Sequence, residues 1–323
     1  MRSRGVPMIP GKVPSVLGAI GNTPVVRLQK VVPENSADVY VKLEYYNPTG
    51  SYKDRMAVAV IEEAERRGEL QPGATVVEYT GGSTGCSLAL VCALKGYRFS
   101  AVSSDAFSPE KLRMMEAFGA RLTIVPSAGG VVTPDLTERM IRRARELAAS
   151  EHGYFVNQLE NRDASKGYEP IGRELLDQLG SPSLHAFCAS VGTAHMLMGV
   201  ARVLRTLPEP PRVIVLEPSS TPVISGGGAG THHVEGIGIG FVPPLLDRAF
   251  YDEVRGIGEP EARQMARRLA REEGIFAGTS SGMNVAAACC LAREFGPGHT
   301  VVTVAVDSGL KYLDGDLFDR QVA

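Results

Sequence analysis

Short β-branched runs, each followed at once by a stretch of helical periodicity, constrain this chain more than any other feature. Val39–Leu43 reads as a strand, and Asp54–Arg67 as a helix stopped by Gly68. Strand Ala74–Glu78 precedes a helix over Thr84–Lys95, and strand Phe99–Ser103 precedes one over Pro109–Phe118. Strand Arg121–Val125 leads to an arginine- and glutamate-rich helix over Thr137–Ser150. The pattern resumes with strand Leu184–Ala189, helix Ala194–Leu207 and strand Arg212–Glu217. Helices over Glu261–Gly274 and Gly282–Glu294 and a strand over Val301–Val306 close the series. Parallel neighbours need a crossover, usually a helix, so this order predicts α/β architecture with mostly parallel sheets covered on both faces. At 323 residues the chain is long for one core and suits two three-layer αβα domains. Its character changes near Gly153, after the charged helix.

Several classes of function fall away. The formal net charge is −2, which favours neither nucleic acid nor an anionic membrane. Trp is absent and aromatics are 6%, too few for a base-stacking platform. No stretch approaches the ~20 apolar residues of a membrane span. Met1–Pro10 has two arginines but no apolar run behind them, so it reads as a loose arm rather than a signal peptide. The five cysteines are odd in number with no C-x-x-C pair, which suits buried thiols in a reducing, cytoplasmic compartment. The six histidines show no metal spacing; His232 and His233 are adjacent in a glycine-rich loop. Neither a dinucleotide fingerprint nor a Walker sequence is present.

In open α/β sheets, ligands bind in the loops at the carboxyl ends of the strands. Four such loops stand out. Asn47-Pro48-Thr49-Gly50-Ser51-Tyr52-Lys53-Asp54-Arg55 runs from a turn into a helix, with Lys53 in the first turn. The positive end of a helix disfavours a cation, which helps a lysine lose its proton and attack an aldehyde. A solvated lysine paired with Asp54 or Glu44 is the plainer alternative. Thr80-Gly81-Gly82-Ser83-Thr84-Gly85 offers backbone N–H groups, hydroxyls and a helix start to a carboxylate or phosphate, or is simply a tight turn. Ser190-Val191-Gly192-Thr193-Ala194-His195-Met196 is a second anion cradle, weaker alone. Gly278-Thr279-Ser280-Ser281-Gly282 opens a helix that its hydroxyls could equally cap.

Together and in this order, these loops resemble the cysteine synthase (O-acetylserine sulfhydrylase) family and the catalytic core of cystathionine β-synthase, which are fold-type II pyridoxal phosphate enzymes of the tryptophan synthase β-like fold. The likeness runs from about Ser15 to Phe318. It begins at Ile20-Gly21-Asn22-Thr23-Pro24 and is most specific at Asn47–Arg55. It includes Asn157-Gln158, the loop Glu235–Pro243 and the turn Gly278–Gly282. The resemblance implies a smaller N-terminal domain (1–12 and 36–152) with a mobile part carrying the substrate loop. It implies a larger C-terminal cofactor domain (13–35 and 153–323), with the cofactor between the two and a homodimer as the assembly.

By the same resemblance, Lys53 carries pyridoxal 5'-phosphate as a Schiff base and moves the substrate α-proton. Thr80, Gly81, Ser83 and Thr84 bind the substrate carboxylate with help from Gln158. Gly192, Thr193, Ala194, His195 and Met196 hold the phosphate, Ser280 meets the pyridine nitrogen, and Gly236 borders the site. The family's carboxylate loop usually reads Thr-Ser-Gly-Asn-Thr-Gly, so this chain departs at Gly81 and Ser83. Ser83 replaces an asparagine that contacts the cofactor's phenolic oxygen. His195 stands at a glycine position of the phosphate loop, where it could donate to the phosphate or turn into packing. Ser104–Arg113 lacks the family's usual arginine pair. The implied reaction is β-replacement on O-acetylserine or another activated serine with sulfide or a related nucleophile, giving cysteine. Alternatives are β-elimination, as in serine or threonine dehydratase or cysteine desulfhydrase, and replacement that makes cystathionine or a non-protein amino acid. A cofactor-binding protein of little activity, serving as an interaction partner, is the reading from another class.

Overall fold

The computed structural model describes residues 12–130, 133–180 and 184–319. The expected N-terminal arm, and with it nearly all of 1–12, lies outside them. Two short strands come first, β1 (Val25–Arg27) and β2 (Asp38–Leu43), followed by helix α1 (Lys53–Arg67). Gly68 ends α1 at φ +73°, a left-handed geometry that glycine adopts without strain. Alternation then continues through β3 (Thr75–Tyr79), α2 (Ser83–Lys95), β4 (Arg98–Ser103), α3 (Pro109–Ala117) and β5 (Arg121–Ile124). The charged helix α4 (Pro134–Ser150) follows, its start capped by the Thr133 hydroxyl accepting from the Leu136 N–H. Next come β6 (Tyr154–Phe155), α5 (Asp163–Lys166), α6 (Glu169–Leu179), β7 (Ala186–Ser190) and α7 (His195–Leu204). The last elements are β8 (Arg212–Pro218), β9 (Glu253–Ile257), α8 (Glu259–Arg268), α9 (Thr279–Phe295) and β10 (Thr300–Ala305).

The strands form two sheets. One has the order β5-β4-β3-β6 and is parallel throughout. The other has the order β1-β2-β10-β7-β8-β9 and is parallel except for the β1–β2 edge pair. Strands β3, β7 and β10 are buried along their whole length, as expected of parallel strands covered on both faces. Helix α2 is buried from Thr84 to Cys92, which accounts for its apolar residues on every side.

Sheet membership differs from the sequence boundaries at two places. Strand β2 falls within the smaller domain as read from sequence (36–152), yet it pairs along its length with β10 of the six-stranded sheet. Strand β6 lies beyond the boundary at 153, yet it pairs with β3 of the four-stranded sheet. Gly153 is not a linker residue: a Cβ there would sit 2.9 Å from the Thr75 carbonyl oxygen, so the chain is pressed against β3. Elements β1, β6, α5, α6 and β9 were not read from sequence. Four cysteines are buried and Cys290 is half-buried, none in a disulfide. Among the described residues, no helix is long and apolar enough to cross a membrane.

Candidate active site

Lys53 is the first residue of α1, and the exit of β10 fixes its seat. The Tyr52 N–H donates to the Val306 carbonyl (3.1 Å), and the Ser308 N–H to the Gly50 carbonyl (2.9 Å). The Gly278 N–H donates to the Asp307 carbonyl (3.2 Å), so the start of α9 is held by the same strand exit. Ser280, in the first turn of α9, is buried there. The Lys53 side chain is half-buried, and its Nζ lies 4.9 Å from the centroid of the Tyr52 ring. Burial lowers its pKa to about 8, against the opposing pull of the Asp307 carboxylate. The partners that would make Lys53 an ordinary surface ammonium are committed elsewhere. Asp54 accepts from the Thr49 N–H (2.8 Å), the Thr49 hydroxyl (2.5 Å) and the Ser87 hydroxyl (2.6 Å). Glu44 is buried against Arg55, Thr23 and Asn47.

Tyr52 and Lys53 share a narrow cleft with residues 190–197. This segment joins β7 to α7. Ala194 sits at φ +69°, which curls the backbone at the mouth of α7, where the first N–H groups of a helix have no partner within it. Gly192 passes so close to the next loop that a Cβ would lie 2.1 Å from the Gly236 carbonyl oxygen. The Gly238 N–H donates to the Val191 carbonyl (3.1 Å), so the loop bearing Gly236 borders the cradle. Ser190 Oγ is buried there without a hydrogen-bond partner. A concave run of N–H donors, an unsatisfied hydroxyl and an amine of low proton affinity fit a phosphate-bearing aldehyde such as pyridoxal 5'-phosphate. Gly192, Thr193, Ala194 and Met196 all line the cleft.

His195 lines it through its backbone, but its ring is engaged elsewhere. Its Nε2 lies 2.6 Å from the Gln158 carbonyl oxygen and its Nδ1 3.0 Å from Ser165 Oγ. A carbonyl can only accept, so Nε2 carries the proton and Nδ1 accepts from the serine. Burial lowers the pKa to about 4, so the ring is neutral. Of the two roles open in the sequence, the imidazole takes the packing one; any contact with a phosphate falls to the main-chain N–H.

The Thr80–Thr84 loop leads from β3 into α2. Thr80 Oγ1 accepts from the N–H groups of Gly82 (3.0 Å) and Gly85 (3.1 Å), which folds the loop on itself. The Thr84 hydroxyl donates to Gln158 Oε1 (2.8 Å), and Gln158 Nε2 donates to the Tyr79 carbonyl (3.1 Å). Gln158 thus ties this loop to His195 and the phosphate cradle. Its own N–H donates to Glu78 (3.2 Å), a fully buried carboxyl whose pKa burial raises well above the usual range. The two departures in this loop have visible neighbours. A Cβ on Gly81 would sit 2.6 Å from the Phe107 ring, which explains glycine there. The half-buried Ser83 has the Lys311 ammonium 3.4 Å from its hydroxyl.

Lys311, Lys111 and Asp307 escaped the sequence reading because nothing local marks them; only folding brings them to these loops. Among the described residues, no group of three or more His, Cys, Asp or Glu side chains could hold a metal ion.

Comparison with known proteins agrees with this geometry. Residues 16–307 match the family described as pyridoxal-phosphate dependent enzyme. The cysteine synthase of Staphylococcus aureus (strain Mu50) is 44% identical over 308 residues, covering 95% of this chain and 97% of that protein. The O-ureido-L-serine synthase of Streptomyces lavendulae is 39% identical over 311 residues, covering 94% and 92%. The crystal structure of a hydrogen sulfide-producing enzyme from Fusobacterium nucleatum superposes with a TM-score of 0.86 at 32% identity, covering 94% and 100%. Replacement or elimination at the β-carbon of amino acids is the chemistry typical of these enzymes. The chain belongs to the pyridoxal-phosphate dependent enzyme family, as a transferase- or lyase-type member of its fold-type II cysteine synthase (O-acetylserine sulfhydrylase) group.

Proposed function

We propose that this chain catalyses β-replacement on O-acetylserine or another activated serine, with sulfide or a related nucleophile, to give L-cysteine. It does so with pyridoxal 5'-phosphate joined to Lys53. The observation that carries the reading is an amine of lowered proton affinity sharing one cleft with a curled run of helix-start N–H groups. When bound, the cofactor supplies the electron sink that makes the α-proton of an amino acid acidic. The main chain of Gly192, Thr193, Ala194, His195 and Met196 would hold its phosphate, and Lys53 would hold its aldehyde carbon. Ser280, buried in the first turn of α9, would offer the ring nitrogen of that cofactor a neutral hydroxyl rather than a carboxylate.

Thr80, Gly81, Ser83 and Thr84 receive the substrate carboxylate at the N-terminus of α2, a position suited to an anion. Gln158 keeps the Thr84 hydroxyl in place through its bond to Oε1. The Lys53 amine would be the base that takes the substrate α-proton and the acid that returns it. The loop bearing Gly236 borders the cleft, and closure of the mobile part of the smaller domain around the carboxylate would exclude water. Elimination shares the first half of this sequence, and the likeness to a hydrogen sulfide-producing enzyme keeps it as the second reading.

The test is direct. The enzyme reconstituted with pyridoxal 5'-phosphate is mixed with O-acetyl-L-serine and sulfide, and cysteine, pyruvate and ammonia are measured. Cysteine formation that depends on sulfide is the expected result; pyruvate and ammonia without sulfide select elimination. Lys53→Ala abolishes turnover and the visible absorbance of the bound cofactor. A variant still yellow after dialysis and still active would refute the assignment.

A further inference from the structure

Beyond the cleft at Lys53 lies a second cavity of about 340 Å³. Phe107, Thr279, Lys311 and Tyr312 are among its walls. It adjoins the site through two contacts: Lys311 reaches the Ser83 hydroxyl, and Thr279 precedes Ser280 in the chain.

Lys311 is the unusual group. It is only 5% exposed, yet among the described residues its ammonium has a single hydrogen-bond partner, Ser83 Oγ at 3.4 Å. An ammonium carries three donors, and burying it without partners is costly. None of the nearby carboxylates makes a salt bridge or hydrogen bond to it among the described residues. Asp307 accepts from the Tyr312 hydroxyl through Oδ2 (2.9 Å) and leaves Oδ1 without a partner, and Asp54 accepts from Thr49 and Ser87. At the rim, Glu235 pairs with Lys111 and Asp316 with Arg263 (2.7 Å), while Glu110 accepts from the Ser108 hydroxyl (2.6 Å). Lys111, 3% exposed, stands on the same side, its stem lying against Gly82. The carboxylate loop therefore faces a pair of buried ammonium groups, one of which has no salt-bridge partner among the described residues.

We propose that Lys311 selects for an anionic substituent on the β-carbon of the substrate, so that a phosphate ester of serine is preferred to its neutral acetyl ester. This rests on the β-replacement reading above and names the substrate class of that site. In the step concerned the Cβ–O bond breaks, and its electron pair leaves with the phosphate. Lys53 takes the α-proton and later returns it. Hydrogen sulfide supplies the sulfur and electron pair of the new Cβ–S bond, and the proton it sheds is taken up by the departing phosphate. Lys311 holds the anion from binding to departure, and Lys111 is free to join it when Glu235 lets go.

The experiment uses the enzyme with pyridoxal 5'-phosphate bound. One arm compares kcat/KM for O-phospho-L-serine and O-acetyl-L-serine with sulfide. The other compares binding of L-2-amino-4-phosphonobutanoate and L-norvaline, read from the cofactor's absorbance. We expect preferences of about tenfold or more for the phosphate ester and for the phosphonate, the size of one charge-assisted contact. Lys311→Met erases both ratios and Lys311→Arg keeps them, the cofactor spectrum verifying that each variant is folded. The proposal is overturned if the unaltered enzyme favours the acetyl ester, or if Lys311→Met leaves the ratios unchanged. If no activated serine is turned over, the functional reading fails, and the phosphonate ratio still decides the role of Lys311.

Discussion

Lysine side chains ordinarily keep their proton to a pH of about 10; at Lys53 burial brings this to about 8. The sign is simple: only the neutral amine attacks an aldehyde, so its reactivity rises with pH until the amine is fully deprotonated. For the cofactor-free protein, the rate of attachment of pyridoxal 5'-phosphate should rise about fivefold from pH 7 to 8 and about twofold more by pH 10. Stopped-flow absorbance measures this. Asp307→Asn should move the profile to lower pH, because Asp307 favours the protonated amine; a profile that stays put contradicts the electrostatics. The position of Lys53 was legible because a lysine at a helix start carries its own physical argument. The fate of the His195 ring was not, since both of its partners, Gln158 and Ser165, lie on other segments. The meeting of Ser83 with Lys311 was also invisible, because the two are far apart in the chain and neither is marked by its neighbours.

Helix α1 does more than present Lys53. Arg55, two residues further on, binds Glu44 (2.7 and 2.8 Å) and Glu174 (2.7 and 2.8 Å), and Glu174 also pairs with Lys42 (2.6 Å). One guanidinium thus joins α1 to the exit of β2 and to α6. Glu44 has no exposed side-chain surface, so removing its cation strands a buried carboxylate. Arg55→Ala should cost about 3–5 kcal/mol in urea denaturation; a loss below about 1 kcal/mol would mean that water or another cation replaces the arginine. Elements with strong periodicity and a glycine stop were readable, α1 and α2 foremost. The misses have local causes. Strands β1 and β6 have three and two residues, too few for a period, and β9 is short and carries Gly256. Helix α6 begins Glu169-Pro170 within a stretch where no strand precedes it, so the alternation gave no cue.

At the scale of the molecule, the alternating order was enough to predict two covered parallel sheets, but strand partners were out of reach, because pairing between β2 and β10 is a property of the finished fold. His195 is one place where several parts meet: it joins the start of α7 to α5 and to the segment after β6. Its folded pKa of about 4 lies below its ordinary 6.5, so the unfolded chain binds the extra proton. Stability is therefore full above pH 6.5, falls as the pH drops through that window, and has lost this contribution below about 4. The loss due to His195 should be on the order of 3 kcal/mol. Denaturation of wild type and His195→Asn at pH 7 and at pH 4.5 measures it, as a narrowing gap; parallel curves would speak against it. The antiparallel bridge between Ser51 and Asp307 has an implication for biogenesis. During synthesis on the ribosome, Lys53 emerges as an ordinary flexible residue long before the segment around Asp307 that helps to bury it. A nascent chain lacking that segment should treat the reactive aldehyde as any free lysine would, so that selective capture begins only once that segment has emerged and folded.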